Sequence, residues 1–234
     1  MTRRTHGFVA VIVLSFVVVT FAQAQSTTAT ASQDLVIVIP RGESPVLDGT
    51  LGSDEWSGAY QAEFSDGSEL FLMHAEGYLY LGIRGKRSPV TSISIDRGNE
   101  VAVLHSSAAL GTAVYQQGES AWEMVQSFSW SCRDTTNNAR AVTARTEFLE
   151  REGWVASNGR MGAPDEVEYQ VAMPDGVLRL AVSAIGAPDY GEVAVWPTAV
   201  EDDCVNAQLL TGPIPDQVQF SPEAWAVTRV PPEQ

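Results

Sequence analysis

From Leu35 onward the apolar residues fall in short β-branched and aromatic runs, each stopped by Gly, Pro, Asn or Asp. Runs of that length cover one pleated surface but are too short for stable helices, so the chain is committed to strands. Leu35-Val-Ile-Val-Ile39 stops at Pro40, as a buried strand would. Ser68–His74 and Tyr78–Arg84 are separated by Ala75-Glu76-Gly77, a hairpin turn whose Gly accepts a positive φ. Thr91–Asp96 alternates and turns through Arg97-Gly98-Asn99 into Glu100–His105. Further strands are expected at Ala113–Gln117, Ala121–Trp130, Val167–Met173, Leu178–Ile185 and Glu192–Trp196. One helix is expected over Thr135–Glu152, capped by Thr and Asn and ended by Gly153. A second helical turn is expected over Ser53–Ala59, with Ser53 as N-cap. The fold class read from this pattern is all-β: an antiparallel β-sandwich with one or two short helices, in a single domain over 35–230.

The first 25 residues have the pattern of a secretory leader rather than of a fold. Arg3 and Arg4 precede the apolar run Phe8–Val19, and Ala22-Gln23-Ala24 supplies a small-x-small cleavage pattern. The run is shorter than the roughly 20 apolar residues that span a bilayer. The expected mature chain is therefore periplasmic or secreted, with residues 26–34 as a flexible lead-in. Loss of two Arg and no acid would take the formal charge from -15 to -17.

That charge argues against nucleic acid and anionic membrane surfaces as partners, since phosphate contacts need clustered Lys or Arg. Lys86 is the one lysine, which removes Lys-based phosphate or Schiff-base chemistry. Cys132 and Cys204 are the two cysteines, and export would make them a disulfide. Closing that loop would contribute roughly 4 kcal/mol through chain entropy.

Two stretches carry a resemblance. Pro45-Val-Leu-Asp-Gly-Thr-Leu-Gly-Ser-Asp-Glu-Trp-Ser-Gly-Ala59 resembles the opening signature of family 9 carbohydrate-binding modules: an apolar pair, Asp-Gly, then acid-Trp and a closing Ala. The strand Tyr78-Leu-Tyr-Leu-Gly-Ile-Arg84 is similar to the family's "LY" strand. Glu168-Tyr-Gln-Val-Ala-Met-Pro174, Leu178–Val182 and Trp196-Pro197 resemble its closing strands. The resemblance implies a DOMON-like, immunoglobulin-like or jelly-roll sandwich that binds oligo- or polysaccharides without catalysis, sometimes with structural calcium. In the place of the family's aromatic segment this chain has Arg87–Arg97, without an aromatic residue.

A sugar site needs a flat aromatic face for ring C–H groups and polar neighbours for hydroxyls. Trp154, which precedes the Gly/Asn-rich stretch Ser157–Gly162, and Trp196, before Pro197, are the expected stacking residues. Asp96 and Arg97, at a turn, are their expected polar neighbours. Trp56 reads as a core plug, and Trp122 and Trp130 as core on one strand face. Asp202-Asp203 and Asp165-Glu166 could give oxygens to calcium, though without the alternating spacing of a calcium loop. For catalysis the inventory is thin. His74 and His105 each share a strand face with aliphatic residues and read as core-edge histidines, and no Gly-x-Ser-x-Gly elbow occurs. The expected function is thus an exported binding module. The alternatives are an envelope interaction protein with another ligand, or less directly a haem-binding or glycan-active variant. Met73 and His74 are neighbours on a strand and point to opposite faces, so they cannot both ligate one iron.

Overall fold

The computed structural model describes residues 36–232 apart from 134, 135, 137, 174, 175 and 189. The expected leader and lead-in, Leu35 and the expected helix start at Thr135 lie outside the described residues. Fourteen strands follow in order. They are β1 (Ile37–Val38), β2 (Tyr60–Glu63), β3 (Glu69–Ala75), β4 (Tyr78–Arg84), β5 (Arg87–Asp96), β6 (Glu100–Ser106) and β7 (Leu110–Gln117). After them come β8 (Trp122–Gln126), the helix α1 (Ala139–Glu152), β9 (Trp154–Asn158), β10 (Glu166–Ala172), β11 (Gly176–Ala187), β12 (Ala194–Trp196), β13 (Gln217–Val218) and β14 (Ala226–Val230).

They form two sheets. The larger runs β1-β14-β11-β5-β6-β7-β8-β13, with β12 also paired to β11, and the smaller runs β2-β3-β4-β10-β9. Every pairing is antiparallel except the short β1–β14 contact. The expected antiparallel sandwich is what the chain forms. The β3–β4 hairpin turns through Glu76 at φ 52° and Gly77 at φ 78°, two successive left-handed residues that match the twist of the flanking strands.

The inner faces meet in a core built from Leu70, Leu72, Leu79, Leu81 and Ile83 of the small sheet and Ile93, Ile95, Leu104, Leu180 and Val182 of the large one. Each sheet is also covered on its outer face by the chain itself. Leu51 and Trp56, from the segment before β2, pack on Phe71, Met73, Ala75 and Tyr80. Val200, Cys204, Leu209, Phe220 and Trp225, from the segment after β12, pack on Val101, Val103, Ala113, Tyr115 and Ala181. Strands buried on both faces read as continuous apolar runs rather than as alternation. This is why β3, β4 and β6 stand out so plainly in the sequence.

Three local expectations differ from the structure. The helix begins at Ala139, where the Asn138 side chain accepts the Ala141 N–H, and it ends at Gly153 in the left-handed region. Ser53–Ala59 forms tight turns instead of a helix, held by Trp56 N–H to Gly52 O at 3.1 Å and Ala59 N–H to Trp56 O at 3.1 Å. The third is the disulfide: Cys132 and Cys204 are unpaired. Cys132 lies against the inter-sheet core beside α1, its thiol 3.3 Å from Ala144 O. Cys204 sits in the layer on the opposite face of the large sheet, so a sheet separates them.

Two glycines let the outer layer close on the small sheet. Gly82 has no side chain where Leu51 and Trp56 come down on β4, and a Cβ there would lie 2.6 Å from Leu51. Gly49 holds φ +86°, and a Cβ there would lie 2.5 Å from Asn158 O. Gly49→Ala is expected to lower stability by about 2 kcal/mol through backbone strain and this clash, measured by urea unfolding. Thiol titration should find two free thiols in the unfolded, unreduced chain. In the folded chain Cys132 should react first, because Cys204 is buried and its thiol is pushed well above the ordinary range by that burial.

Candidate functional site

Trp154 and Trp196, the expected stacking residues, have no free face. Trp154 is 1% exposed. Its ring stacks on Tyr169 at 5.8 Å and meets the edge of Phe148 at 5.1 Å. Its Nε1–H donates to Thr112 Oγ1 at 2.9 Å, and Thr112 Oγ1 donates on to Glu152 Oε2 at 2.9 Å. The residue that reads as the start of a loop is the first of β9 and ties one sheet to the other. Trp196 is 5% exposed and lies opposite Val182 in the same core. Asp96 and Arg97 form the β5–β6 turn: Asp96 Oδ1 accepts the Gly98 N–H at 2.8 Å, and the Arg97 N–H donates to Glu100 O at 2.8 Å. The structure does not gather these four residues. Of the six Trp, only Trp130 shows a substantial surface, 42%. It sits on Phe128 and His105, with ring centres 4.8 and 5.3 Å away.

The acids read as possible calcium donors serve the backbone. Asp202 accepts from Cys204 N–H at 2.8 Å, Ser221 N–H at 2.7 Å and Trp225 Nε1–H at 2.7 Å. Asp203 accepts from Gln219 N–H at 2.6 Å. Glu166 pairs with Arg84 Nε at 2.6 Å and accepts the Leu51 N–H at 2.6 Å. Glu168, fully buried, accepts the Gly49 N–H at 2.8 Å and Trp56 Nε1–H at 3.3 Å. Burial, with Asp48 nearby, pushes its carboxyl up to about 7. His105 Nδ1 lies 3.0 Å from Ser92 Oγ, and burial pushes the imidazole down to about 4. At neutral pH it is uncharged beneath Phe128 and Trp130. Among the described residues, the hydrogen bond His105 makes is to Ser92, not to a carboxylate as in a hydrolytic triad.

An open concavity lies at one end of the sandwich, where loops from both sheets converge. It is a cleft of about 130 Å³ lined by Ser88, Pro89 and Val90 at the start of β5 and by Ser107 and Ala108 between β6 and β7. Asn158 at the end of β9, Gly159 and Arg160 just after it, and Tyr190 between β11 and β12 complete it. Asn158 forms the floor. Its Nδ2–H donates to Ser107 O at 2.6 Å across the two sheets, and its Oδ1 accepts the Arg160 N–H at 3.1 Å. Ser88 holds a left-handed φ of 52°, its N–H donating to Pro164 O at 2.6 Å. Tyr190 is 46% exposed, so an aromatic face, two hydroxyls and a guanidinium share one small opening. Among the described residues, the lining includes no carboxylate or imidazole. The volume is below the roughly 300 Å³ of clefts that enclose larger ligands. It fits the end or edge of one ring.

Asp96 and Arg97 are at the far end of β5 from this cleft, about 26 Å away at 3.3 Å per residue. Sequence reading singled out the Ser157–Gly162 stretch but missed Tyr190. Its position between Pro188 and Gly191, in a turn, was the available signal. No family model, curated protein or solved structure matches this chain. Among the described residues, no helix is long and apolar enough to cross a membrane.

The two shifted groups oppose each other in pH. Between about 4.5 and 7 folded Glu168 keeps a proton that the unfolded chain releases, so its burial costs stability as pH rises. Between about 6.5 and 4 the unfolded chain protonates its histidine before folded His105 can, so stability falls as pH falls. Each effect spans roughly 3 kcal/mol. Glu168→Gln should give a chain whose unfolding midpoint rises from pH 4.5 to 6.5, and His105→Gln one whose midpoint falls over the same range. Parallel profiles for both variants would contradict these assignments.

Proposed function

We propose that this chain is an exported, non-catalytic binding module of the DOMON-like kind that takes a carbohydrate at the end cleft. The observation that carries the reading is the exposed Tyr190 ring sharing one cleft with Ser88, Ser107 and Arg160. An aromatic face with a few convergent polar groups is what a polar, ring-shaped ligand requires. The leader-like pattern of residues 1–25 and the acidity support an extracytoplasmic setting, and the resemblance of Pro45–Ala59 to family 9 modules supports the sugar. Trp56, at the centre of that resemblance, acts as a packing residue: it is buried against Phe71 with ring centres 6.3 Å apart.

A glycan array with the purified chain should give specific binding. Tyr190→Ala should abolish it while leaving the unfolding midpoint within about 0.5 kcal/mol of the parent. Trp154→Ala should instead lose about 3–5 kcal/mol of stability, as the removal of a fully buried aromatic does. Binding that survives Tyr190→Ala would move the site elsewhere, with Trp130 the next position to exchange.

A further inference from the structure

Arg160 gives the cleft a charge that its surroundings in sequence would not lead one to expect. The chain has 29 Asp+Glu and 14 Lys+Arg. Arg84 pairs with Glu166 and Glu69, Lys86 with Asp66 and Glu192, and Arg151 with Glu152. Arg160 is exposed at the rim, and among the described residues no ion pair engages it. Among the described residues, the lining it shares with Ser88, Ser107, Asn158 and Tyr190 includes no carboxylate. Its place is fixed from below by Asn158 Oδ1, which accepts its backbone N–H at 3.1 Å, leaving the guanidinium itself outside that bond.

Among the described lining residues of the cleft, Arg160 is the one charged side chain. A neutral sugar needs hydroxyl partners, which Ser88 and Ser107 supply, and a ring face, which Tyr190 supplies. A guanidinium adds something different: its planar fork of donors matches a carboxylate in two parallel hydrogen bonds. We infer that the ligand is an acidic sugar, a uronic acid residue of an oligo- or polysaccharide. Arg160 takes its carboxylate while the pyranose ring lies on Tyr190. This rests on the cleft being the sugar site and names the class of sugar it selects.

The test is calorimetric titration of the purified chain with trimers of galacturonate, glucuronate and mannuronate, and with their methyl esters. Each ester keeps the ring and hydroxyls and removes the charge. At least one acid should bind ten or more times more tightly than its ester. Arg160→Gln should erase that difference with little change for the ester, and Tyr190→Ala should weaken both forms. Equal affinity for acid and ester, or a preference that survives Arg160→Gln, overturns the acidic-sugar assignment. Loss on Tyr190→Ala would then still uphold the cleft. Binding of neutral glycans alone also overturns it, and no binding of any glycan overturns both readings.

Discussion

Carboxylates bonded to backbone amides hold this molecule together. Glu166 and Glu168, successive outward residues of β10, grip the N–H groups of Leu51 and Gly49 and so fix the segment that covers the small sheet. Asp202 and Asp203 grip Ser221 and Gln219 and fix the segment that covers the large sheet. Bonds from a charged acceptor are stronger than neutral ones, and each here spans 16 or more residues of chain. Part of the acidity that looks like a solubility device in the composition is thus structural. Glu168 shows the cost, because it has no cation close by to offset its burial, unlike Glu166 with Arg84.

With both outer faces covered, the aromatic residues have little choice of place. Trp56 and Trp225 belong to the covering layers, Trp122 lies beneath one of them, and Trp154 and Trp196 fill the inter-sheet core. The end near Ser88 and Asn158 is where four connections from both sheets meet. At that end Asn158 bonds across to Ser107, and Ser88 is held to Pro164.

How far this was legible in the sequence follows from how local each feature is. β4 is bounded as its apolar run suggests, and β3, β5, β6, β10 and β11 each overlap the run that announces them, because their burial pattern is written in adjacent residues. β2, β9, β13 and β14 were not anticipated. β9 follows directly on the helix cap Gly153 and reads as its exit loop, and β2 is a short edge strand of alternating exposure. Trp154 was misplaced for a related reason: two of its partners, Tyr169 and Thr112, are distant in sequence, and the stretch that follows it reads as a loop. The disulfide expectation rested on compartment alone, which cannot say that a sheet lies between two thiols. The cleft could not be read as a motif, since its walls come from four separate connections, each no more than an ordinary turn.

Mapping ligand contact directly on the folded chain tests the central claim that binding is confined to the loop end. The amide spectrum of labelled protein, recorded by nuclear magnetic resonance during titration with a uronate oligosaccharide, should change at Ser88, Ser107, Asn158, Gly159, Arg160 and Tyr190. The Trp130 indole and the β5–β6 turn at Asp96 and Arg97 should stay still. Shifts centred on Trp130 or on Asp96 and Arg97, with the cleft residues unmoved, would contradict the account.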